Sequence, residues 1–170
     1  MAAYVALLRA VNVGGTGKLP MTELAAMCEA AGFAKVKTYI ASGNVMFTSK
    51  LSEAKVKASL EKALAAYAGK PVGVMVRTAA EMAAVLAANP FPEMPGNATV
   101  AIFLDAAPPA DALEKIAGQR DEKLGMGARE IYVYYGEGMG TSKLRIQAAK
   151  AGTARNMNTV AKLTGMAAKL

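Results

Sequence analysis

The sequence predicts an α+β fold of duplicated ferredoxin-like (βαββαβ) lobes with a helical C-terminal tail. The first observation is the order strand, helix, strand, strand, helix, strand over residues 3–77. The second is an imperfect repeat of that order later in the chain, with its last strand short or missing. The third is a proline-rich segment, residues 91–97, between the two. We therefore expect a first lobe at 1–77, a connecting helix and linker at 78–97, and a second lobe with C-terminal helices at 98–170.

The elements of the first lobe follow from apolar spacing and from residues that start or stop helices. Residues 4–8 form a short apolar run that is typical of a buried strand. Pro20 suits the first turn of a helix, and Gly32 suits its end. The remaining assignments are β-rich strands at 35–40 and 44–48, a helix capped by Ser52 and closed by Gly69, and a strand at 72–77.

The connecting helix and the second lobe are assigned in the same way. Thr78 and Glu81 have the spacing of a capping box, and Asn89-Pro90 ends the helix that they open. The assignments that follow are strands at 99–104 and 129–135, a helix between Pro108-Pro109 and Gly118, a helix from Thr141 or Ser142 through Ala149, and a terminal helix capped near Asn156.

The composition excludes several kinds of chemistry. The 170 residues are 54% hydrophobic and 19% charged, which argues against disorder. Because the chain has no histidine, it cannot form a Ser-His-Asp or Cys-His catalytic site or an imidazole-ligated zinc site. Its single cysteine excludes a disulfide framework. Potential metal ligands occur in no recognisable spacing, so we expect no metal and no cofactor.

The net charge of +7 is distributed unevenly along the chain. Residues 1–78 carry ten basic and four acidic side chains, residues 79–137 four basic and nine acidic, and residues 138–170 six basic and none acidic. The two basic segments could meet as a cationic surface. The alternative is that the lysines only solvate the outer faces of helices.

The sequence predicts a cytoplasmic protein without a membrane partner. The first apolar run is interrupted by Arg9 and Asn12, before it reaches the length of a signal peptide core. Elsewhere no apolar run approaches the 18 or so residues of a membrane span.

The first candidate site is the glycine-rich segment between the first strand and the first helix. Glycines such as Gly14 and Gly15 leave backbone N–H groups open to an anion, and the following helix N-terminus adds a positive field. Asn12 begins the segment, and Arg9 and Lys18 supply counter-charges for a phosphate or carboxylate. The alternative is a flexible turn, because the segment matches no established phosphate-binding motif.

The second candidate site is the turn around Gly43. Ser42 and Asn44 could supply polar contacts to a ligand that is shared with the glycine-rich segment. The alternative is a structural turn, since serine and asparagine side chains readily bond the nearby backbone.

The third candidate site is the basic C-terminal segment. It comprises Ser142, Lys143, Arg145, Arg155, Asn156 and Asn158. Lys143 falls in the first turn of a predicted helix and Arg155 just ahead of another, where a cation opposes the helix dipole unless an anion compensates it. The alternative for Arg155 is an ion pair with a carboxylate of the acidic middle segment.

Several strings together resemble a known family. They are residues 4–15 (YVALLRAVNVGG), 38–47 (TYIASGNVMF), 88–91 (ANPF), 129–134 (REIYVY), 141–144 (TSKL) and 153–160 (TARNMNTV). On these strings the chain is similar, almost end to end, to the domain-of-unknown-function family 1697. The resemblance implies a duplicated ferredoxin-like fold without an agreed activity. Members usually have tryptophan where this chain has Met157, and often Gly-Arg-Ser-Lys where it has Gly-Thr-Ser-Lys at residues 140–143.

The function predicted from the sequence is the binding of a small anionic ligand. One alternative is a nucleic-acid-binding module, in which strand aromatics stack on bases. Those aromatics would be Tyr39, Phe47, Tyr132, Tyr134 and Tyr135. The other alternative is an enzyme that works without histidine on a phosphorylated substrate. Its cations would be Lys18, Lys143 or Arg155.

Overall fold

The computed structural model describes residues 1–12, 18–136 and 138–170 of the chain. These residues form a mixed α and β fold with antiparallel sheets and four α-helices, of which the last lies near the C-terminus. The chain divides into two compact units, and each contains one four-stranded sheet. The first unit is Met1–Ala83 with Leu163–Leu170, and the second is Ala84–Lys162.

The first unit has the element order predicted for residues 3–77. Its strands pair in the order β2-β3-β1-β4, and every pair is antiparallel. The strand after the second helix therefore lies beside the first strand of the chain. The elements are β1 (Ala2–Leu8), α1 (Met21–Ala30), β2 (Ala34–Thr38), β3 (Asn44–Ser49), α2 (Glu53–Ala68) and β4 (Val74–Thr78).

The predicted helix caps are confirmed by hydrogen bonds. The Ser52 hydroxyl accepts the N–H of Lys55 at 3.3 Å at the start of α2. At the start of α3 (Ala79–Ala87), the N–H of Thr78 donates to the Glu81 carboxylate at 2.9 Å. The N–H of Glu81 donates back to the Thr78 hydroxyl at 3.1 Å. This reciprocal pair satisfies two N–H groups that a helix start otherwise leaves without partners.

The core of the first unit lies where α1 and α2 contact one face of its sheet. Leu24 and Cys28 of α1 are fully buried, and the rings of Phe33 and Phe47 stack at 4.3 Å. Burial raises the pKa of the Cys28 thiol to about 12, with a smaller contribution from nearby Glu29. Cys28 is therefore a core thiol that stays protonated at neutral pH.

The second unit contains a sheet of the same strand order. The strands of the second sheet lie in the order β7-β8-β5-β10. When the strands of each sheet are numbered by their appearance in the chain, both sheets have the order second, third, first, fourth. A separate two-stranded ladder joins β6 to β9. The elements are β5 (Thr99–Phe103), β6 (Ile116–Ala117), β7 (Lys123–Met126), β8 (Glu130–Tyr134), β9 (Arg145–Ile146), β10 (Thr153–Asn156) and the start of α4 (Met157–Ala168).

Two helices predicted in the second half of the chain are wrong. The segment after Pro108-Pro109 forms turns followed by β6, and the segment 142–149 contains β9 and a single 3-10 turn at Gln147–Ala149. Ile116 pairs with Ile146 across the ladder, so each segment satisfies its backbone through the other. Tertiary pairing thus overrides helix propensity in both segments. As a result, Lys143 does not lie in the first turn of a helix.

The terminal helix is confirmed, and it begins at a buried methionine. Met157 is only 4% exposed, and its N–H donates to the Gly96 carbonyl at 3.0 Å. A buried residue at the first position of α4 favours packing, rather than ligand contact, as the role of the side chain at this position.

Candidate functional site

A cavity of about 400 Å³ opens in the first unit, where β1 ends beside the start of β4. The N–H of Arg9 donates to the Gly73 carbonyl at 2.9 Å, which fastens the residue after β1 to the residue before β4. A Cβ on Gly73 would lie 3.5 Å from the Arg9 Cβ, which is an ordinary van der Waals contact. The Arg9 side chain therefore starts directly over the Gly73 backbone.

The cavity wall combines basic residues with apolar ones. Three basic side chains, Arg9, Lys18 and Lys70, line it, and the twelve described lining residues include no carboxylate. All three basic residues are exposed. Their charges therefore act on the cavity from solvent-accessible positions. The other lining residues are Ala10, Val11, Leu19, Leu64, Tyr67, Ala68, Pro71, Val72 and Gly73.

The side chain of Asn12 fixes one edge of this cavity. Its Oδ1 accepts the N–H of Leu19 at 2.6 Å, and its Nδ2 donates to the carbonyls of Leu19 and Ala41, each at 2.8 Å. Asn12 therefore positions the residue that follows Lys18 and joins it to the turn before β3. Its predicted neighbours in the glycine-rich segment, Gly14 and Gly15, lie outside the described residues.

Left-handed backbone is concentrated around Asn12. Ala10 and Asn12 each have φ of +56°, and Ile40 has φ of +51°. Such values cost on the order of 1–3 kcal/mol at residues other than glycine, and they are rarest for β-branched side chains. The hydrogen bonds of Asn12 help to hold this conformation beside the cavity.

Ser42 and Asn44 lie next to this edge but do not line the cavity. The Asn44 side chain is fully buried, and its Nδ2 donates to the Tyr39 carbonyl at 2.8 Å and to the Ser42 hydroxyl at 2.9 Å. The N–H of Leu8 donates to the Gly43 carbonyl at 2.9 Å. These contacts support the structural alternative for the turn, in which both polar side chains stabilise its backbone.

Ser142 and Lys143 line a second cavity, of about 420 Å³, in the second unit. The Ser142 hydroxyl donates to the Glu122 carboxylate, and the backbone N–H of Arg120 donates to Glu122 Oε1 at 2.6 Å. The Ser142 bond contributes most to holding the pKa of Glu122 below its usual range, and the Arg120 bond is next. The lining mixes basic and acidic side chains, so this cavity favours an anion less clearly than the first. Its other lining residues are Asp121, Tyr135, Gly138 and Thr141.

We expect the hydrogen bond between Ser142 and Glu122 to make the free energy of unfolding depend on pH. The folded-state pKa of Glu122 is lowered, so its stabilising contribution is present at neutral pH and is lost as the pH falls through that pKa. The free energy of unfolding of the wild type should therefore fall more between about pH 5 and about pH 3 than that of Glu122→Gln. Urea unfolding at each pH measures this difference. Glu114→Gln, at an exposed carboxylate, serves as the control, and equal slopes for the wild type and Glu122→Gln would contradict the prediction.

Arg155 lies in β10, where its side chain is buried at 7% exposure. Its Nη1 donates to the Thr153 hydroxyl at 2.7 Å and to the Ala154 carbonyl at 2.9 Å. Burial lowers its pKa to about 10, so the guanidinium stays charged at neutral pH. These contacts favour a structural role for Arg155.

Asn156 and Asn158 lie at the start of α4. The Asn156 Oδ1 accepts the N–H of Thr159 at 2.9 Å, which makes Asn156 the predicted cap of the helix. Asn158 is exposed and lies over Gly96, where a Cβ would approach its side-chain Cγ to 3.0 Å. Neither asparagine is among the described residues that line the two cavities.

Lys70 and Tyr67 line the first cavity but were not predicted from the sequence. Both belong to the end of α2 and the loop before β4, and β4 lies beside β1 in the sheet. The strand order of a βαββαβ unit is a signal that could have placed this loop near Arg9. In the sequence, Gly69 indicated only where the helix ends.

Two of the five strand aromatics are enclosed in the cores and are not available for base stacking. Phe47 and Tyr132 are fully buried, and the Tyr132 hydroxyl donates to the Val85 carbonyl at 2.6 Å. A ring enclosed in a core cannot stack on a nucleic acid base. Tyr39, Tyr134 and Tyr135 are partly exposed.

Neither a metal-binding cluster nor a membrane-spanning helix occurs in the part of the chain that the structure describes. Residues 1–12, 18–136 and 138–170 contain no group of three acidic or cysteine side chains placed to hold a metal ion. No helix within these ranges is both long and apolar enough to cross a membrane.

The comparisons with known proteins give a family and a fold. The model of the family described as "Protein of unknown function (DUF1697)" matches residues 1–132. The structure is similar to that of the conserved bacterial protein SP0830 from Streptococcus pneumoniae, with a TM-score of 0.79 and 24% sequence identity over 98% of each chain. No curated protein matches the chain. At this identity the likeness shows the fold alone, so the function has to be argued from the cavity.

Proposed function

The chain belongs to the DUF1697 family of proteins of unknown function, and on that premise we propose that it binds a small anionic ligand in the cavity beside Arg9. The observation that carries the proposal is the cavity wall, where Arg9, Lys18 and Lys70 meet without a carboxylate among the described lining residues. The cavity volume of about 400 Å³ falls within the usual range for small-molecule sites. The ligand carries a phosphate or a carboxylate.

The three basic side chains have different parts in this proposal. Arg9 presents a planar guanidinium that can donate two parallel hydrogen bonds to one phosphate or carboxylate. Lys18 and Lys70 add compact charges from two other segments of the chain. Because the three cations come from three separate segments, the site depends on the folded structure rather than on a run of basic residues in the sequence.

We also propose that the chain forms two ferredoxin-like lobes, one around each four-stranded sheet, with the predicted boundaries 1–77 and 98–170. Support comes from the βαββαβ order of the first unit and from the strand order that both sheets share. In the second lobe, turns and short ladder strands would take the places of the two helices. The cytoplasmic location stays a prediction from the sequence.

The test of anion binding is a thermal unfolding screen followed by titration calorimetry. We expect at least one member of a panel of phosphates, sugar phosphates, nucleotides and dicarboxylates to raise the melting temperature, because a ligand that binds only the folded state stabilises it. Arg9→Ala and Lys18→Ala should each weaken the binding of that anion by roughly tenfold or more, the usual worth of a hydrogen bond to a charged group.

The control is Lys62→Ala, which removes an exposed lysine of α2 that does not line the cavity. Lys62→Ala changes the net charge by the same amount as Lys18→Ala. Because Lys62 does not line the cavity, this variant should bind the anion as the wild type does. The proposal is wrong if no anion in the panel raises the melting temperature. It is also wrong if Lys62→Ala weakens binding as much as Lys18→Ala does.

A further inference from the structure

The apolar part of the cavity wall includes Tyr67, a side chain that anion binding alone would not require. Leu64, Tyr67 and Ala68 are spaced three and four residues apart near the end of α2, so one face of the helix presents all three to the cavity. Leu64 is only 1% exposed, whereas Tyr67 is 47% exposed. The phenol ring of Tyr67 therefore stands at the border between the apolar wall and water.

A half-exposed tyrosine beside a cationic cavity is suited to a ligand with a planar ring. Stacking on the phenol would bury surface that is now in water, and aromatic pairs add to the free energy of burial. Val72 and Pro71 extend the apolar wall from the loop before β4. An inorganic anion would contact the cations and leave this wall exposed.

The positive charge that lines the cavity favours a phosphate monoester over a monocarboxylate as the ligand. A phosphate monoester carries a charge of about −1.5 to −2 at neutral pH and presents three acceptor oxygens. Three cations line the cavity, and one of them, Arg9, can bond two oxygens at once. A monocarboxylate carries a single negative charge and two acceptor oxygens, so it would make fewer charge-assisted hydrogen bonds to these cations.

We propose that the ligand is a phosphate monoester that carries a planar ring, of the nucleoside monophosphate class. Its phosphate contacts Arg9, Lys18 and Lys70, and its ring stacks on Tyr67. This inference rests on the proposed function, because it assigns the chemical class of the anion that the same cavity binds. It adds a role for Tyr67, which anion binding by itself does not require.

The experiment is titration calorimetry with three probes: adenosine 5′-monophosphate, ribose 5-phosphate and adenosine. We expect the wild type to bind the nucleotide about three- to tenfold more tightly than the sugar phosphate, which is what one aromatic contact contributes. Adenosine should bind more weakly than either phosphate. Tyr67→Ala should remove the preference for the nucleotide, and Tyr67→Phe should keep it, because the ring and not the hydroxyl makes the contact.

The ratio of the two phosphate affinities within one variant does not depend on how much of that variant is folded. The inference is therefore wrong if the wild type binds both phosphates equally, or if Tyr67→Ala weakens both by the same factor. In either case the proposed anion site would stand, provided that Arg9→Ala weakens both. If neither phosphate binds, or if adenosine binds as tightly as the nucleotide, the nucleotide class is wrong and the screen of other anions alone decides the proposed function.

Discussion

Replacing Gly43 by alanine lowers the free energy of unfolding by about 2–5 kcal/mol, the sum of left-handed backbone strain and overpacking. Gly43 has φ of +90°, a conformation that costs little only for glycine. A Cβ on it would lie 2.6 Å from Val11 Cγ2 and 2.9 Å from Leu8 Cβ, both inside van der Waals contact. Because the Gly43 carbonyl also accepts the N–H of Leu8, the turn cannot shift away without losing that bond.

Urea unfolding followed by circular dichroism measures this loss. The matched control is Gly165→Ala in α4, where a Cβ meets nothing within 4 Å and φ is not positive. Because alanine favours a helix over glycine, this control should gain about 0.5–1 kcal/mol. A Gly43→Ala variant within about 0.5 kcal/mol of the wild type would show that the turn is less constrained than its contacts indicate.

Arg155→Ala lowers the free energy of unfolding by about 3 kcal/mol, because each buried group that loses a hydrogen-bond partner costs about 1–3 kcal/mol and the guanidinium bonds one buried and one part-buried group. The guanidinium is buried in the second unit, and its truncation disturbs the hydrogen bonding of the Thr153 hydroxyl and the Ala154 carbonyl. Arg145→Ala removes the same side chain from an exposed position of β9 and should change stability by less than about 0.5 kcal/mol.

Arg155→Ala also distinguishes a structural role of Arg155 from the ligand-binding role that the sequence predicted for it. A structural role reduces stability, while the affinity of the folded protein for the anion stays unchanged. A ligand-binding role has the opposite signature, since affinity would fall and urea unfolding would match the wild type. Calorimetry well below the unfolding temperature, paired with urea unfolding, distinguishes the two outcomes.

The first unit could be predicted from the sequence because its signals are local. The capping pair of Thr78 and Glu81 is made by neighbours in the chain, and the apolar spacing of Leu24 and Cys28 already defines the buried face of α1. Such signals do not depend on which segment the helix later contacts. The strands of the first sheet were recognised for the same reason.

The second unit was harder to predict because its signals are not local. Ile116 and Ile146 lie thirty residues apart, and only their pairing makes each segment extended. The short strand β7, Lys123–Met126, was not predicted, because Gly125 interrupts its alternation of polar and apolar side chains. Strand pairing across such a distance leaves no periodicity that a single segment reveals.

The candidate site was predicted in part, for a related reason. Arg9 and Lys18 flank the glycine-rich segment in the sequence, so they were recognised together. Lys70 and Tyr67 reach the cavity only because β4 lies beside β1. Whether a cation is exposed or buried is equally invisible in the sequence, since the burial of Arg155 follows from its place in the strand rather than from its neighbours along the chain.

The hydrogen bonds of Asn12 also have a consequence for the conformational entropy of the chain. Its amide joins two positions that are seven residues apart and so acts as a reversible cross-link across the span between them. Closing a span of this kind costs conformational entropy, and that cost rises only slowly with length, by about 0.6 kcal/mol for each doubling. Because the Asn12 amide holds both the N–H and the carbonyl of Leu19, it also restricts the backbone of the adjacent Lys18, one of the three cations that line the cavity.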